Sequence, residues 1–341
     1  MPSLHSGKIL LSGANGYLAV EITKQLLEQG FSVRGTVRTQ KSVPYLQQLF
    51  KPYGDRYELV TVPDITADGA FDEAVKGVSG VIHAASPFRL DTGDPSEIID
   101  PTVKGTTSIL FSVLNYGTQV LRFVLLSSIA AIVDPHPGPI VFDDNNWSTA
   151  CITNCREKGR DASQMDKYAA AKTLAERALW EFGTQHKDNM QFDLVALNPV
   201  MVYGPFDHEV AKPEDLNASL KNWYTTVVKG AASKEDLTNG FLWVDVRDVA
   251  AAHILALQKE EAGGGRFGIH AGPYKWQEFV NLARELEPAL PAGNTDFDST
   301  NVSYPIDFDA SGSKNVLGLK YKDKREMVKD ALVAFKKKGW L

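Results

Sequence analysis

Cysteine is scarce in this chain of 341 residues, and its two cysteines, Cys151 and Cys155, are separated by three residues. That spacing fits neither a redox-active Cys-x-x-Cys pair nor half of a common zinc site. We therefore expect reduced thiols and no metal site, as is usual for a protein of the cytoplasm.

Long apolar segments and an excess of basic charge are also lacking. No run of about 18 apolar residues occurs, so the sequence predicts no transmembrane helix and no membrane partner. The 36 Lys and Arg residues are outnumbered by 42 Asp and Glu, which argues against a nucleic-acid partner. Residues 1–7 lack the basic and apolar regions of a signal peptide, so we expect a cytoplasmic location.

A glycine turn follows the first apolar run of the chain. Residues 8–11 predict a buried strand, residues 12–19 contain the turn, and the apolar spacing that follows predicts a helix. Strand, turn and helix in this order are the context of a dinucleotide-binding signal. Gly13 permits the turn, Gly16 lets the backbone approach a pyrophosphate at the helix N-terminus, and Ala19 allows close packing. An ordinary tight turn is the alternative.

Acidic residues are absent between positions 31 and 54, where the second strand and its sequel are expected. An NAD site needs an Asp or Glu near the end of that strand to bind the ribose hydroxyls. Arg34, Arg38 and Lys41 occur there instead, and a group of cations suits a 2′-phosphate. The sequence therefore favours NADP(H) over NAD.

The third and fourth strands are expected at 57–64 and 80–86. Asp64 either meets the adenine amino group or caps a helix that begins near Asp68. The small residues that end the fourth strand would let a cofactor pass close over the strand ends. His83, in that strand, is expected to be structural.

A tyrosine and a lysine four residues apart, Tyr168 and Lys172, would lie on one face of a helix. A neighbouring ammonium favours the phenolate, so we expect Lys172 to lower the pKa of Tyr168 and to make it a proton donor to a carbonyl oxygen. A solvated helix face is the alternative. The fifth strand, 121–126, brings Ser127 and Ser128 toward the same crevice.

These motifs, in their order along the chain, resemble the extended short-chain dehydrogenase/reductase superfamily. More closely, the chain resembles plant dihydroflavonol and cinnamoyl-CoA reductases, and most of all the fungal carbonyl reductases that act on methylglyoxal, branched aldehydes and bulky ketones. The segments that show this closer resemblance are 33–38, 143–148, 198–205, 244–250 and 313–318. The resemblance covers nearly the whole chain.

The resemblance implies an α/β fold, with a doubly wound parallel sheet (Rossmann fold) and a smaller, mostly C-terminal substrate-binding lobe. The dinucleotide-binding domain is expected at 1–200 and 241–271, and the lobe at 201–240 and 272–341. The implied activity is NADPH-dependent reduction of an aldehyde or ketone, with hydride from the nicotinamide and a proton from Tyr168. We expect a monomer or a homodimer.

The resemblance also implies the site residues. The catalytic residues are Ser128, Tyr168 and Lys172. The cofactor contacts are Gly13, Ala14, Asn15, Gly16, Tyr17, Leu18, Arg38, Lys41, Asp64, Ile65, Ala84, Ala85, Ser86, Tyr168, Lys172, Pro199, Val200, Val202 and Ser219. Separately from the resemblance, the aromatic residues Phe88, Tyr203, Phe206 and Trp223 are our candidates for the substrate pocket. Thr102 replaces an asparagine that in many members of the superfamily anchors a water relay to the lysine, which leaves the relay undefined.

The substrate class rests on the apolar residues 129–133 that follow Ser128, which suit aryl or alkyl carbonyl compounds over sugars. A sugar-nucleotide epimerase or dehydratase and a non-catalytic NADP-sensing regulator on the same fold are the alternatives. Asp143 and Asp144 form either a carboxylate pair or, as we expect, part of a loop anchored by Trp147.

Overall fold

The structure is a computed structural model that describes residues 3–87 and 91–341. In chain order its strands are β1 (Lys8–Ser12), β2 (Ser32–Val37), β3 (Tyr57–Thr61), β4 (Gly80–His83), β5 (Arg122–Leu126), β6 (Ile140–Phe142), β7 (Asp193–Pro199), β8 (Met201–Tyr203), β9 (Leu242–Asp245), β10 (Arg266–Ile269), β11 (Gly272–Pro273) and β12 (Ile306–Phe308). Its α-helices are α1 (Tyr17–Glu28), α2 (Val43–Leu49), α3 (Ser96–Tyr116), α4 (Ala150–Lys158), α5 (Gln164–His186), α6 (Ala218–Trp223), α7 (Val246–Gln258), α8 (Trp276–Leu286), α9 (Ser311–Asn315) and α10 (Lys324–Lys337).

Seven parallel strands form the central sheet, in the order β10-β7-β5-β4-β1-β2-β3. The chain builds outward in both directions from β1, which is the doubly wound arrangement that the sequence predicts. The order reverses between β1 and β4, and ligands of such sheets bind in the crevice at the carboxyl ends of the strands beside this reversal. The glycine turn after β1 and the serines after β5 therefore open onto one edge.

The two faces of the sheet have separate cores, because side chains alternate along a strand. On β1, Ile9 and Leu11 belong to the core that also contains α1 and α7. Leu10, between them, belongs to the core that contains α3 and α5. Helices α3 and α5 pack against each other on that second face. Helix α5 is thus held by the sheet and by a neighbouring helix.

A second sheet of three strands has the order β11-β9-β8, and β9 pairs in parallel with β8. The apolar run at 241–244 predicts a strand that returns to the central sheet, and this prediction is wrong because β9 lies in the second sheet. The spacing of apolar and aromatic residues at 217–230 predicts a helix, and the structure has α6 there, which continues as a π-helical turn at Tyr224–Val228. Its Trp223 stacks on Phe335 of α10 at 5.7 Å between ring centroids. Aromatic packing therefore joins α6 to α10.

The helix expected near Asp68 is also wrong, because residues 65–77 form turns. Asp64 accepts hydrogen bonds from the amide and the hydroxyl of Thr66, which closes a local turn in place of a helix cap. Gly69 and Gly77 have φ angles of 73° and 69°, which an α-helix does not accommodate. The sequence reasoning missed α2 and α4. Across the described ranges, none of the helices is both long and apolar enough to span a membrane.

Candidate active site

The two serines that follow β5 differ in their contacts. The Ser127 hydroxyl bonds the carboxylate of Glu176. The Ser128 side chain bonds Tyr168, and its oxygen also accepts from the amide of Ala130 at 3.1 Å. Only the second serine is therefore directed at the tyrosine of the candidate site.

Helix α5 presents Tyr168 and Lys172 to this strand end. It begins at Gln164, after the Ser163 hydroxyl accepts a hydrogen bond from the amide of Asp166 at 3.0 Å. Three buried alanines, Ala169, Ala170 and Ala171, separate the two functional side chains, so this stretch of the helix packs closely against the rest of the protein. The ammonium of Lys172 donates to the carbonyl oxygen of Leu126, the last residue of β5, at 3.4 Å. Helix and strand end are thus joined at the site.

The pKa of Tyr168 is raised above its usual value of 10.0, which reverses the expected direction. Desolvation by the surrounding protein is the larger cause, and the hydrogen bond to Ser128 opposes it. Lys172 is not among the causes that lower the pKa of Tyr168. Desolvation lowers the pKa of Lys172 itself to about 8, and the negative charge of Glu176 partly opposes that shift. At neutral pH the phenol therefore keeps its proton and is ready to donate it.

Glu176 is a residue of this region that the sequence reasoning missed. It is fully buried one turn beyond Lys172, and its carboxylate forms an ion pair with Arg266. It also accepts from the side-chain amide of Asn198 at 2.6 Å. The signal was present in the sequence, because Lys172-x-x-x-Glu176 extends the four-residue spacing of the tyrosine and lysine along one helix face.

The segment between Ser128 and α4 is anchored by Trp147, as predicted. The guanidinium of Arg266 lies 3.8 Å from the centre of the Trp147 ring, and that of Arg177 lies 5.3 Å from it. Asp144 accepts from the amide of Gly268 at 2.7 Å and Asp143 from that of Asn145 at 2.8 Å. Both carboxylates therefore hold the loop and do not form a pair for acid–base catalysis.

The ends of β1 and β4 are joined through Ser12. Its hydroxyl oxygen accepts from the amides of Ala84 and Ala85 at 3.0 and 2.9 Å and lies 2.9 Å from Nδ1 of His83. Burial depresses the pKa of His83 to about 3, so its ring is neutral and structural. A cavity of about 10 Å³ adjoins this junction. Its polar lining comes from His83, Ser86, Thr102, Thr106, Ser127 and Lys172, and it has room for about one water molecule.

The glycine turn has the geometry of an anion site. Gly13 has a φ of 70°, and a Cβ built there would lie 3.1 Å from Cα of Ala85. Gly16 precedes α1 in an extended conformation, with no side-chain hydrogen bond to the first helical turn. A Cβ on Gly35 of β2 would lie 2.7 Å from Cβ of Ala14, so the turn packs directly on the next strand. The first amides of a helix, preceded by a turn of small residues, suit a pyrophosphate.

The cations near β2 fall into two groups. Arg34 is engaged with Glu58 at 2.7 Å and with the carbonyl oxygens of Ala74 and Lys76, so its inclusion in the predicted phosphate cluster is wrong. Arg38 and Lys41 are exposed just beyond the strand. Hydrogen bonds from Thr66 lower the pKa of Asp64, and the charge of Arg38 adds to that effect.

Other predicted cofactor contacts have their own contacts within the protein. Ile65 is half-buried against Gly105 of α3. Pro199 ends β7, and the amide of Val200 donates to Ile269 at 3.3 Å. Ser219, on α6, is half-buried and accepts from the side-chain amide of Asn217 at 2.8 Å. Their contacts with a cofactor stay predictions.

Three of the four pocket candidates are buried in packing contacts. The Tyr203 hydroxyl bonds that of Tyr274 at 2.8 Å, Phe206 packs on Phe335, and Trp223 is fully buried. Their role as pocket walls stays a prediction. Phe88 lies outside the described residues.

Comparisons with known proteins agree with this architecture. A family model described as the NAD dependent epimerase/dehydratase family matches residues 9–269. The chain is 35% identical to the ketoreductase azaE of Aspergillus niger, over 96% of this chain and 97% of that protein. It is 32% identical to the NADPH-dependent methylglyoxal reductase GRE2 of Saccharomyces cerevisiae, over 94% and 96%.

One solved structure is similar to this chain over nearly the whole of both. The crystal structure of yeast methylglyoxal/isovaleraldehyde reductase Gre2, complexed with NADPH, matches with a TM-score of 0.86 at 30% sequence identity. The match covers 98% of this chain and all of that one.

Proposed function

The chain belongs to the NAD dependent epimerase/dehydratase family, and we propose that it is an NADPH-dependent reductase of aldehydes and ketones. Its relatives azaE and GRE2 are named as a ketoreductase and as an NADPH-dependent methylglyoxal reductase. The yeast Gre2 structure is an NADPH complex. These relatives support both the reaction and the cofactor.

The observation that best supports this function is the group formed by Ser128, Tyr168 and Lys172. The phenol bonds the Ser128 side chain and has a raised pKa, so it holds a proton at neutral pH. A positioned acid of this kind can protonate an oxygen on which negative charge develops. Lys172 lies one turn away on the same helix, and the carbonyl oxygen of Leu126 accepts a hydrogen bond from its ammonium at 3.4 Å.

The proposed reaction needs one hydride and one proton. When bound, NADPH would supply the hydride that the carbonyl carbon accepts. Ser128 donates a hydrogen bond to the carbonyl oxygen and fixes its position. Tyr168 transfers its proton to the same oxygen as the C=O bond becomes a C–O single bond. Lys172, held by the Leu126 carbonyl, stays beside the phenol.

The residues present fit NADPH. The glycine turn and the first amides of α1 would hold the pyrophosphate, and Arg38 with Lys41 would hold the 2′-phosphate. Asp64 and Ile65 would meet the adenine. The ends of β4 and β7 would contact the nicotinamide half, through Ala84–Ser86 and Pro199–Val202. No acid occurs between residues 31 and 54, where an NAD site needs one.

The substrate is proposed to be a small aryl or alkyl carbonyl compound. The turn that follows Ser128 contains Ile129, Ala131 and Ile132, all buried, so the chain next to the acid is apolar. We also propose that residues 1–200 and 241–271 bind the cofactor, and that 201–240 and 272–341 bind the substrate. A cytoplasmic location and a monomer or homodimer complete the proposal.

A parallel assay tests the reaction class. NADPH absorbance is followed with an aromatic ketone, with methylglyoxal and with a UDP-sugar, and NADPH binding is measured separately by fluorescence. We expect decay with the carbonyl compounds and none with the UDP-sugar. NADPH binding without decay for any carbonyl compound would contradict the proposal and favour a sensor of NADP.

A further inference from the structure

The carboxylate of Glu176 is the meeting point of four side-chain donors beneath the candidate site. Ser127 and Arg266 bond it directly, Asn198 donates to it at 2.6 Å, and the indole of Trp180 donates at 3.4 Å. Glu176 is fully buried, so this anion is shielded from water by the donors around it.

The donors belong to different parts of the fold that must stay in register. Ser127 directly precedes Ser128, and Asn198 also donates to the carbonyl oxygen of Ser128 at 3.0 Å. Arg266 extends the connection, because it donates to the carbonyl oxygens of Ala131 and Asp144 at 3.2 and 2.9 Å. One carboxylate on α5 therefore ties the ends of β5 and β7, the start of β10 and the loop after Ser128 to the helix that bears Tyr168 and Lys172.

The same carboxylate acts on the charge of Lys172. Tyr168 and Glu176 lie one turn to either side of Lys172 on its own helix. The cavity that Lys172 lines is also lined by polar residues of other elements, which are His83, Ser86, Thr102, Thr106 and Ser127. His83 is neutral because its pKa is about 3. Among the described residues, Glu176 is the charged group whose field raises the pKa of Lys172 against desolvation.

We propose that Glu176 is a positioning residue of the reductase site, which holds the Ser128 turn against α5 and supplies the negative charge that faces the Lys172 ammonium. This inference rests on the proposed function, since it assigns Glu176 a part in that reaction. A purely structural ion pair would explain a loss of stability but not a change in the titration of Lys172.

Three variants separate charge from position. Glu176→Gln removes the charge and keeps the shape, but it leaves Arg266 buried without its partner, which destabilises a fold strongly. The double variant Glu176→Gln with Arg266→Met removes both charges and guards against simple failure to fold. Glu176→Asp keeps the charge and shortens the side chain.

The first measurement is the pH profile of kcat/KM for NADPH, which reports the free enzyme. We expect its alkaline limb to move to lower pH by about one unit in Glu176→Gln and in the double variant. In Glu176→Asp the limb should keep the wild-type position while kcat falls about 10-fold or more, because the serine turn is displaced. Limbs that coincide with wild type in Glu176→Gln and the double variant would overturn the proposal.

The second measurement does not depend on turnover. The Lys172 signal of protein labelled with [13Cε]lysine, assigned with Lys172→Arg, is titrated in wild type and in the double variant. We expect a lower midpoint in the variant, and an unchanged midpoint contradicts the proposal. A wild-type protein that binds NADPH but reduces no carbonyl compound refutes the proposed function, whereas a normal reductase with an unmoved Lys172 titration refutes only the role of Glu176.

Discussion

Ser128 and Tyr168 are joined by a side-chain hydrogen bond between the end of β5 and the first turns of α5. The two residues are far apart in sequence, and each is held by its own local contacts. Ser128 accepts from the amide of Ala130, and α5 is capped by Ser163. The acid of the proposed reaction is therefore oriented before substrate arrives, which lowers the cost of reaching the reactive geometry.

Removal of the phenol oxygen should abolish proton transfer and spare cofactor binding. We expect Tyr168→Phe to bind NADPH, measured by fluorescence, and to reduce carbonyl compounds at least about 100-fold more slowly. Tyr53→Phe, in the turn after α2, is the matched control and should reduce carbonyl compounds at the wild-type rate. A Tyr168→Phe variant with near wild-type turnover would refute the mechanism.

The titration of Lys172 should appear in the pH dependence of activity. Its pKa is lowered to about 8, so the cation is present below that pH and is lost as the pH rises through it. We expect kcat/KM for NADPH to fall across this range. In Lys172→Met this limb should be absent and activity low at every pH. If the limb persists in that variant, another group is responsible for it.

The same shift has a consequence for stability. Because the folded pKa lies below the usual 10.5, the unfolded chain binds a proton that the folded protein lacks between pH 8 and 10.5. The contribution of Lys172 therefore makes the free energy of unfolding rise with pH in that interval. Urea unfolding of wild type and Lys172→Met at several pH values measures the difference.

Arg38 and Arg34 give a matched pair of substitutions for cofactor selectivity. Arg38 is exposed beyond β2, whereas Arg34 is bonded to Glu58. We expect Arg38→Ala to raise the dissociation constant for NADPH about 10-fold, through loss of a charge-assisted hydrogen bond, with little effect on NADH. Arg34→Ala should lower stability and leave the preference for NADPH intact. Equal effects of the two substitutions would contradict the assigned phosphate site.

Arg122 provides a test of stability away from the site. It is fully buried on β5, forms a two-pronged ion pair with Asp193 at 2.6 and 2.7 Å, and donates to Ala256. Asp193→Ala leaves this cation unpaired, so the free energy of unfolding should fall by about 3 kcal/mol or more. Asp296→Ala breaks the exposed pair with Lys234 and should cause no measurable change in the free energy of unfolding. Denaturant titration of both variants makes the comparison.

Local sequence signals were sufficient for the central sheet and for the grouping of Ser128, Tyr168 and Lys172 at its edge. The glycine turn between β1 and α1 and the four-residue spacing of Tyr168 and Lys172 depend on residues that are close in the chain. The pairing of β9 with β8 could not be predicted, since a short apolar strand fits either sheet. The expected helix near Asp68 failed because Thr66 offers Asp64 a competing turn.

Electrostatic properties were the least predictable. The spacing of Tyr168 and Lys172 suggested a lowered phenol pKa, but desolvation depends on the atoms that surround the helix, and it raises that pKa. The sequence prediction grouped Arg34 with Arg38 because the two residues are four positions apart, in β2 and directly after it. The partner of Arg34, Glu58, lies on the neighbouring strand β3, and only the folded sheet brings them together.

The chain passes several times between the two sheets. It leaves the large sheet at Pro199, enters the small one at Met201, and returns through β9 and α7 to β10 before β11 joins the small sheet again. Any cut between β8 and β10 would therefore divide the strands of both sheets at once. Limited proteolysis should thus release no stable fragment that contains only one of the two sheets. Thermal denaturation should follow a single cooperative transition.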